Sequence, residues 1–155
     1  MIDAKQLRIG NWVLDSEGVE RQVTVISAQG RVFLPPVKYV DRMPKIVKLG
    51  EDCSTDLIHP IPLTPEVLEA CEGFTKYEWF EGYFKKTKFG DFMIRLYEGE
   101  IHCFFTNITY DNMGMKFSGK RYIGNLNATQ NIIYLHQLQN FLAICGQELE
   151  YKPKV

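Results

Sequence analysis

Three histidines and four cysteines are the side chains of this 155-residue sequence best suited to nucleophilic, proton-transfer or metal chemistry. General-base catalysis needs a histidine within hydrogen-bond reach of its nucleophile. His59, His102 and His136 lie in three separate stretches, and neither a G-x-S-x-G elbow nor a reactive-cysteine signature accompanies them. Cys103 follows His102 directly, but neighbours along a strand point to opposite faces, so adjacency there does not make a nucleophile–base pair. Cys53, Cys71, Cys103 and Cys145 are widely spaced, without C-x-x-C or H-E-x-x-H, so a metal site is not expected. Glu98 and Glu100 flank a glycine and read as solvated turn residues. Lys120 and Arg121 stand between Gly114 and Gly124, yet the P-loop pattern is absent. These residues predict no cofactor, and a small hydrolase assembled by tertiary folding is the third-ranked reading.

Two sets of residues point instead to binding. Lys85, Lys86 and Lys88 follow an aromatic cluster (Tyr77, Trp79, Phe80, Tyr83, Phe84), and Lys120 and Arg121 come later. Basic residues interleaved with aromatics are what a single-strand stacking surface uses. The plainer reading buries the aromatics on one strand face and solvates the lysines on the other. The second set is His136, Gln139 and Asn140, on the polar side of a C-terminal helix, where a partner protein could be received or where the face is simply wet.

Composition limits the alternatives. The chain is 45% hydrophobic, 24% charged and 13% aromatic, a globular profile. Eighteen basic residues against nineteen acidic ones give a net charge of −1, which removes the long-range attraction that most nucleic-acid-binding proteins exploit. No signal-peptide run or bilayer-length apolar stretch is visible, so a cytoplasmic protein with reduced, buried thiols and no membrane association is expected.

The elements that must position these residues are short. Asn11 to Asp15, then Val19 to Val25, Arg31 to Leu34 and Lys45 to Leu49 read as strands separated by Gly and Pro turns. In the second of these, Val19, Arg21, Val23 and Val25 share one side, and Arg21 breaks the apolar pattern. They suggest an SH3-like small barrel or a strongly twisted antiparallel sheet. Thr64-Pro65-Glu66 is an N-cap, a first-turn proline and a dipole-matched acid, predicting a helix of about two turns that Gly73 stops. Asp91 to Tyr97 and Glu100 to Thr106 form a hairpin around Glu98-Gly99, and Asn107 to Asn127 reads as a long loop or an extra irregular hairpin. Leu135, Leu138, Leu142 and Cys145 recur on one face of a last helix that ends at Gly146, and Glu148 to Lys152 adds a closing strand. The whole is an α+β chain read as one domain over 1–155, with subdomains at 1–58 (strands) and 59–155 (short helix, antiparallel β-meander, C-terminal helix).

Three segments carry a resemblance. Leu7-Arg8-Ile9-Gly10-Asn11-Trp12-Val13 is the first. The second is Pro60-Ile61-Pro62-Leu63-Thr64-Pro65-Glu66, with Gly73-Phe74 behind it. The third is Tyr134-Leu135-His136-Gln137-Leu138-Gln139-Asn140, with Gly146-Gln147-Glu148-Leu149 after it. In this order they resemble a family of small uncharacterised proteins of gut bacteria and their phages, in which 107–127 looks like an insertion. The resemblance brings no activity, cofactor or catalytic residue, and it implies an intracellular, phage- or mobile-element-associated setting. Taken together, the residues predict a non-enzymatic accessory protein that binds an unidentified protein partner. A nucleic-acid-binding module is second.

Overall fold

A computed structural model describes residues 2–39, 46–77, 82–87, 90–97, 99–107, 121–122 and 132–153. The chain is α+β, with antiparallel strands in several sheets and two α-helices among the described residues. The first 58 residues carry seven strands: β1 (Trp12–Leu14), β2 (Glu20–Gln22), β3 (Val25–Ile26), β4 (Arg31–Leu34), β5 (Val37–Tyr39), β6 (Ile46–Lys48) and β7 (Glu51–Ser54). They pair as β1–β2, β3–β4–β7 and β5–β6. These are three small sheets, and the expected SH3-like closure is not seen among the described strands.

Two local departures from the periodicity explain that division. The alternating stretch after Val19 does not continue to Val25: Val19, Arg21 and Val23 are buried, but Thr24 and Val25 are exposed and Val25 begins a new strand. Pro35-Pro36 ends β4 as expected, since proline has no N–H to give a ladder, but the chain resumes at once as β5. β5 and β7 escape the sequence reading because three or four residues hold too little periodicity to register.

The second half is built on a five-stranded antiparallel sheet in the order β12–β11–β10–β9–β8. Its strands are β8 (Thr75–Lys76), β9 (Gly82–Thr87), β10 (Gly90–Tyr97), β11 (Glu100–Asn107) and β12 (Arg121–Tyr122). Gly99, at φ 79°, supplies the left-handed residue of the β10–β11 hairpin, as the sequence predicted. Of the predicted loop 107–127, Asn107 instead ends β11 and Arg121–Tyr122 form β12; the rest lies outside the described residues, as do Trp79 and Phe80.

Two helices close this half. α1 (Pro65–Glu69) is shorter than the predicted two turns; the Thr64 hydroxyl accepts from the Val67 amide, and Leu68 is buried. α2 (Leu135–Ile144) buries Leu135, Leu138 and Leu142 on the predicted face. The Gln137 side-chain oxygen reaches back to accept from the Ile133 and Tyr134 amides at 3.0 and 3.1 Å, and Gly146 at φ 76° lets the chain leave the helix.

Two cores result. Ile2, Leu7, Val13, Val23, Val32, Leu34, Cys53 and Ile58 form one. The other gathers α1, α2 and the inner face of the large sheet, where Tyr83, Ile94 and Cys103 stand in one row across β9, β10 and β11. Trp12 and Leu14 belong to the first half by sequence but pack against the second core. All four cysteines are free and buried. No helix among the described residues is long and apolar enough to cross a membrane.

Candidate functional site

The three sequence segments singled out above meet in space. Leu14 and His59 exchange backbone hydrogen bonds of 2.9 Å, bringing the Pro-rich segment beside β1. That segment continues against the start of α2, where the Leu135 amide donates to the Ile61 carbonyl and the Leu63 amide to the Ile133 carbonyl. From α2, Gln139 and Asn140 reach the first segment. The Gln139 side-chain oxygen accepts from the Trp12 amide at 3.0 Å while its nitrogen donates to the Gly10 carbonyl at 3.3 Å. One carboxamide thereby serves an N–H and a C=O two residues apart, as a neighbouring strand residue would. Asn140 accepts from the Asn11 side chain at 3.0 Å and donates to the Gln6 carbonyl at 2.7 Å. Asn11 in turn accepts from the Arg8 amide at 2.8 Å.

This seam corrects the expectation of a polar outer helix face. His136 is 1% exposed and Gln139 8%, so neither lies on a wet surface. Gln139 and half-buried Asn140 hold the two ends of the chain together. Their polarity answers to backbone groups more than a hundred residues away, which no local pattern reveals. His136 stacks on Tyr134 with ring centroids 5.9 Å apart, and among the described residues neither ring nitrogen finds a partner. Burial lowers its pKa to about 4, so the ring is neutral at physiological pH.

A second polar cluster lies in the first half. Arg21, fully buried, donates to Asp15 at 3.2 Å and to the carbonyls of Leu34, Pro35 and Leu49 at 3.0, 2.7 and 2.8 Å. Lys48 pairs with Glu17 and stands 3.6 Å from Asp15. Burial alone would raise the Asp15 carboxyl, but the Val19 and Glu17 amides, Lys48 and Arg21 together hold it below the usual carboxylate range. The residue that broke the apolar alternation is therefore a clamp across three strand ends.

The basic set separates. Lys85 donates to the Glu72 carbonyl at 2.9 Å and lies 5.9 Å from the centre of the Phe74 ring, so it caps the turn after α1. Lys86 is exposed. Arg121 belongs to β12, opposite Asn107, and Lys88 and Lys120 lie outside the described residues. Tyr83, one of the aromatics, faces the core rather than solvent.

The nucleophile candidates stand in unreactive settings. Burial pushes the Cys71 and Cys103 thiols up to about 12 and Cys53 to about 11, which keeps all three protonated at neutral pH. His102 is half-buried and 3.3 Å from Glu100, while the Cys103 side chain is in the core. Among the described residues no three His, Cys, Asp or Glu side chains gather to hold a metal ion.

What the structure adds is a cleft directly over the seam, about 440 Å³ in volume. One wall is 8–12, the floor is α2 at Gln139, Asn140 and Ala143, and the other wall is the extended chain 148–152. Tyr151 fixes that wall: its hydroxyl donates to Glu20 at 2.7 Å and its ring meets Trp12 edge-on at 5.5 Å. Ile9, on the first wall, is 69% exposed. The sequence signal for this wall alone was the alternation Glu148-Leu149-Glu150-Tyr151-Lys152, which the structure resolves as inward Leu149 and Tyr151 and outward charges. No protein-family model, curated protein or solved structure matches this chain.

Proposed function

We propose that this chain is a non-enzymatic accessory protein of phage or mobile-element origin that acts by binding another protein, and that the cleft over the seam receives the partner. The observation that carries this reading is the cleft's construction. Its volume falls in the range of ligand-binding pockets, and its floor is rigid because the Asn11, Gln139 and Asn140 side chains are already hydrogen-bonded within the chain. A pre-formed surface loses little conformational entropy on binding. Arg8 and Ile9 stand exposed at its rim, a charge and an apolar contact ready for a partner.

Selection of ligands from a displayed library of peptides and protein fragments tests the proposal. Ile9→Asp and Ala143→Arg are expected to weaken the selected ligands at least tenfold, while Leu57→Asp, also exposed but outside the cleft lining, leaves them unchanged. Ligands indifferent to both cleft variants would overturn the reading. So would turnover of generic ester, phosphate or nucleic-acid substrates that His136→Ala abolishes.

A further inference from the structure

We propose that the occupant of the cleft is an extended peptide that adds as a strand beside 148–152, with basic residues at two alternate positions facing Glu148 and Glu150. This inference rests on the binding reading above and names the partner's chemistry. Three observations carry it. First, 148–152 is paired on one edge: the Glu72 amide donates to the Glu150 carbonyl at 2.8 Å, the Lys152 amide donates to the Ala70 carbonyl at 3.0 Å, and Cys71 and Tyr151 form the antiparallel bridge between them. In an extended chain successive residues direct their backbone groups to opposite edges. The Leu149 N–H and C=O therefore belong to the second edge, and among the described residues nothing pairs with them.

Second, the segment borders open space, since all five of its residues line the cleft. An extended segment with an open backbone edge at Leu149 beside a groove is the arrangement that strand addition uses, with backbone bonds giving affinity and alternate side chains giving selectivity. Third, the charges commit the partner. Glu148 and Glu150 are exposed, two residues apart and hence on one face, and neither carboxylate has an ion-pair partner among the described residues. Opposite charges directly across a strand pair attract, and like charges repel.

The test titrates the ¹⁵N-labelled full chain with three synthetic nine-residue Thr/Val peptides. One carries Lys at two positions two apart, one carries Glu there, and the third is the Lys peptide N-methylated along one edge. The Lys peptide is expected to shift the Leu149 amide resonance and to bind about fivefold tighter than the Glu peptide. That order should invert in Glu148→Lys/Glu150→Lys and vanish in Glu148→Lys alone, where attraction at one position offsets repulsion at the other, and N-methylation of the pairing edge should abolish binding. Equal binding of the two charged peptides, an unshifted Leu149 amide, or N-methylation tolerated on the pairing edge would overturn strand addition. If library ligands still depend on Ile9 and Ala143 in that event, the cleft remains the binding site and only the strand chemistry is wrong. If nothing depends on Ile9 and Ala143, both readings fall.

Discussion

His136 sits where a hydrophobic side chain would ordinarily be found, and the consequence is a pH dependence with a definite sign. An unfolded chain protonates this ring below about pH 6.5, whereas the folded chain resists until about pH 4, because charging the ring would place an unpaired cation in the interior. Between those limits the unfolded state binds more protons, so stability falls as pH falls and levels off below about 4. The shift corresponds to roughly 3 kcal/mol in all, of which about 2 kcal/mol is lost between pH 7 and pH 5. His136→Leu keeps the volume and removes the titration, so its urea midpoint should stay nearly level over that interval while the parent's drops. Parallel curves for the two proteins would show that the ring is not the cause. Asp15 acts lower on the scale. Its depressed carboxyl contributes stability that is complete above its ordinary pKa of 3.8 and is lost as pH falls through the lower folded value. The carboxamide of Gln139 is a different kind of residue, uncharged and fully used. Gln139→Leu leaves the Trp12 amide without a partner, while the Gly10 carbonyl keeps the Gln22 side chain as its donor, and should cost about 1–3 kcal/mol, measured by urea unfolding at pH 7.

At the scale of elements, the shortest strands depend most on polar contacts. β1, β2, β5 and β6 are three residues each and cannot hold a sheet by apolar burial alone, so Arg21 ties the end of β4 and the turn before β7 to β2. Arg21→Met would abandon Asp15 in the interior with Lys48 as its remaining cation. The expected loss is about 3–5 kcal/mol in equilibrium unfolding, because breaking a buried pair strands its partner. Replacing both, as Asp15→Leu/Arg21→Met, should recover a good part of that loss. A double variant as unstable as the single one would show that the carbonyl bonds, not the charge pair, matter most. This cluster also shows where sequence reading works. α2 was legible because Leu135, Leu138, Leu142 and Cys145 repeat at the helical period and Gly146 marks the end, and α1 because Thr64-Pro65-Glu66 is a local cap. The β10–β11 hairpin was legible from Gly99. Arg21 registered only as an interruption, since its carbonyl partners lie 13 to 28 residues away. Gln139 and Asn140 were visible as polar residues on a helix, but their hydrogen-bond partners lie in 6–12, 127 to 134 positions distant. The cleft was illegible for the same reason, because it forms where the two chain ends meet.

At the scale of the molecule, the central question is whether two cores behave as one. The first core draws only on residues up to Ile58 and the second core on Ile61 onward, so each is a local collapse of its own half. Among the described residues four connections cross the division: Trp12 and Leu14 packed on the second core, the paired Leu14–His59 backbone hydrogen bonds, the Tyr151–Glu20 hydrogen bond, and the amide seam of Asn11, Gln139 and Asn140. If each seam bond contributes about 1 kcal/mol, their sum is comparable to the stability of a small domain, enough to make unfolding all-or-none. The buried cysteines report on this directly, because Cys53 belongs to the first core and Cys103 to the second, and burial keeps both thiols protonated and shielded. Cys53 and Cys103 of the parent chain should become reactive to a thiol reagent at the same urea concentration. In Asn11→Ala/Gln139→Ala the two should separate, one half opening before the other. Separate reactivities in the parent would mean that the seam does not couple the halves, and an unsplit variant would assign the coupling to Trp12, Leu14 and Tyr151 instead. The outcome bears on binding as well, since the cleft has one wall in each half and keeps its shape only while they stay joined.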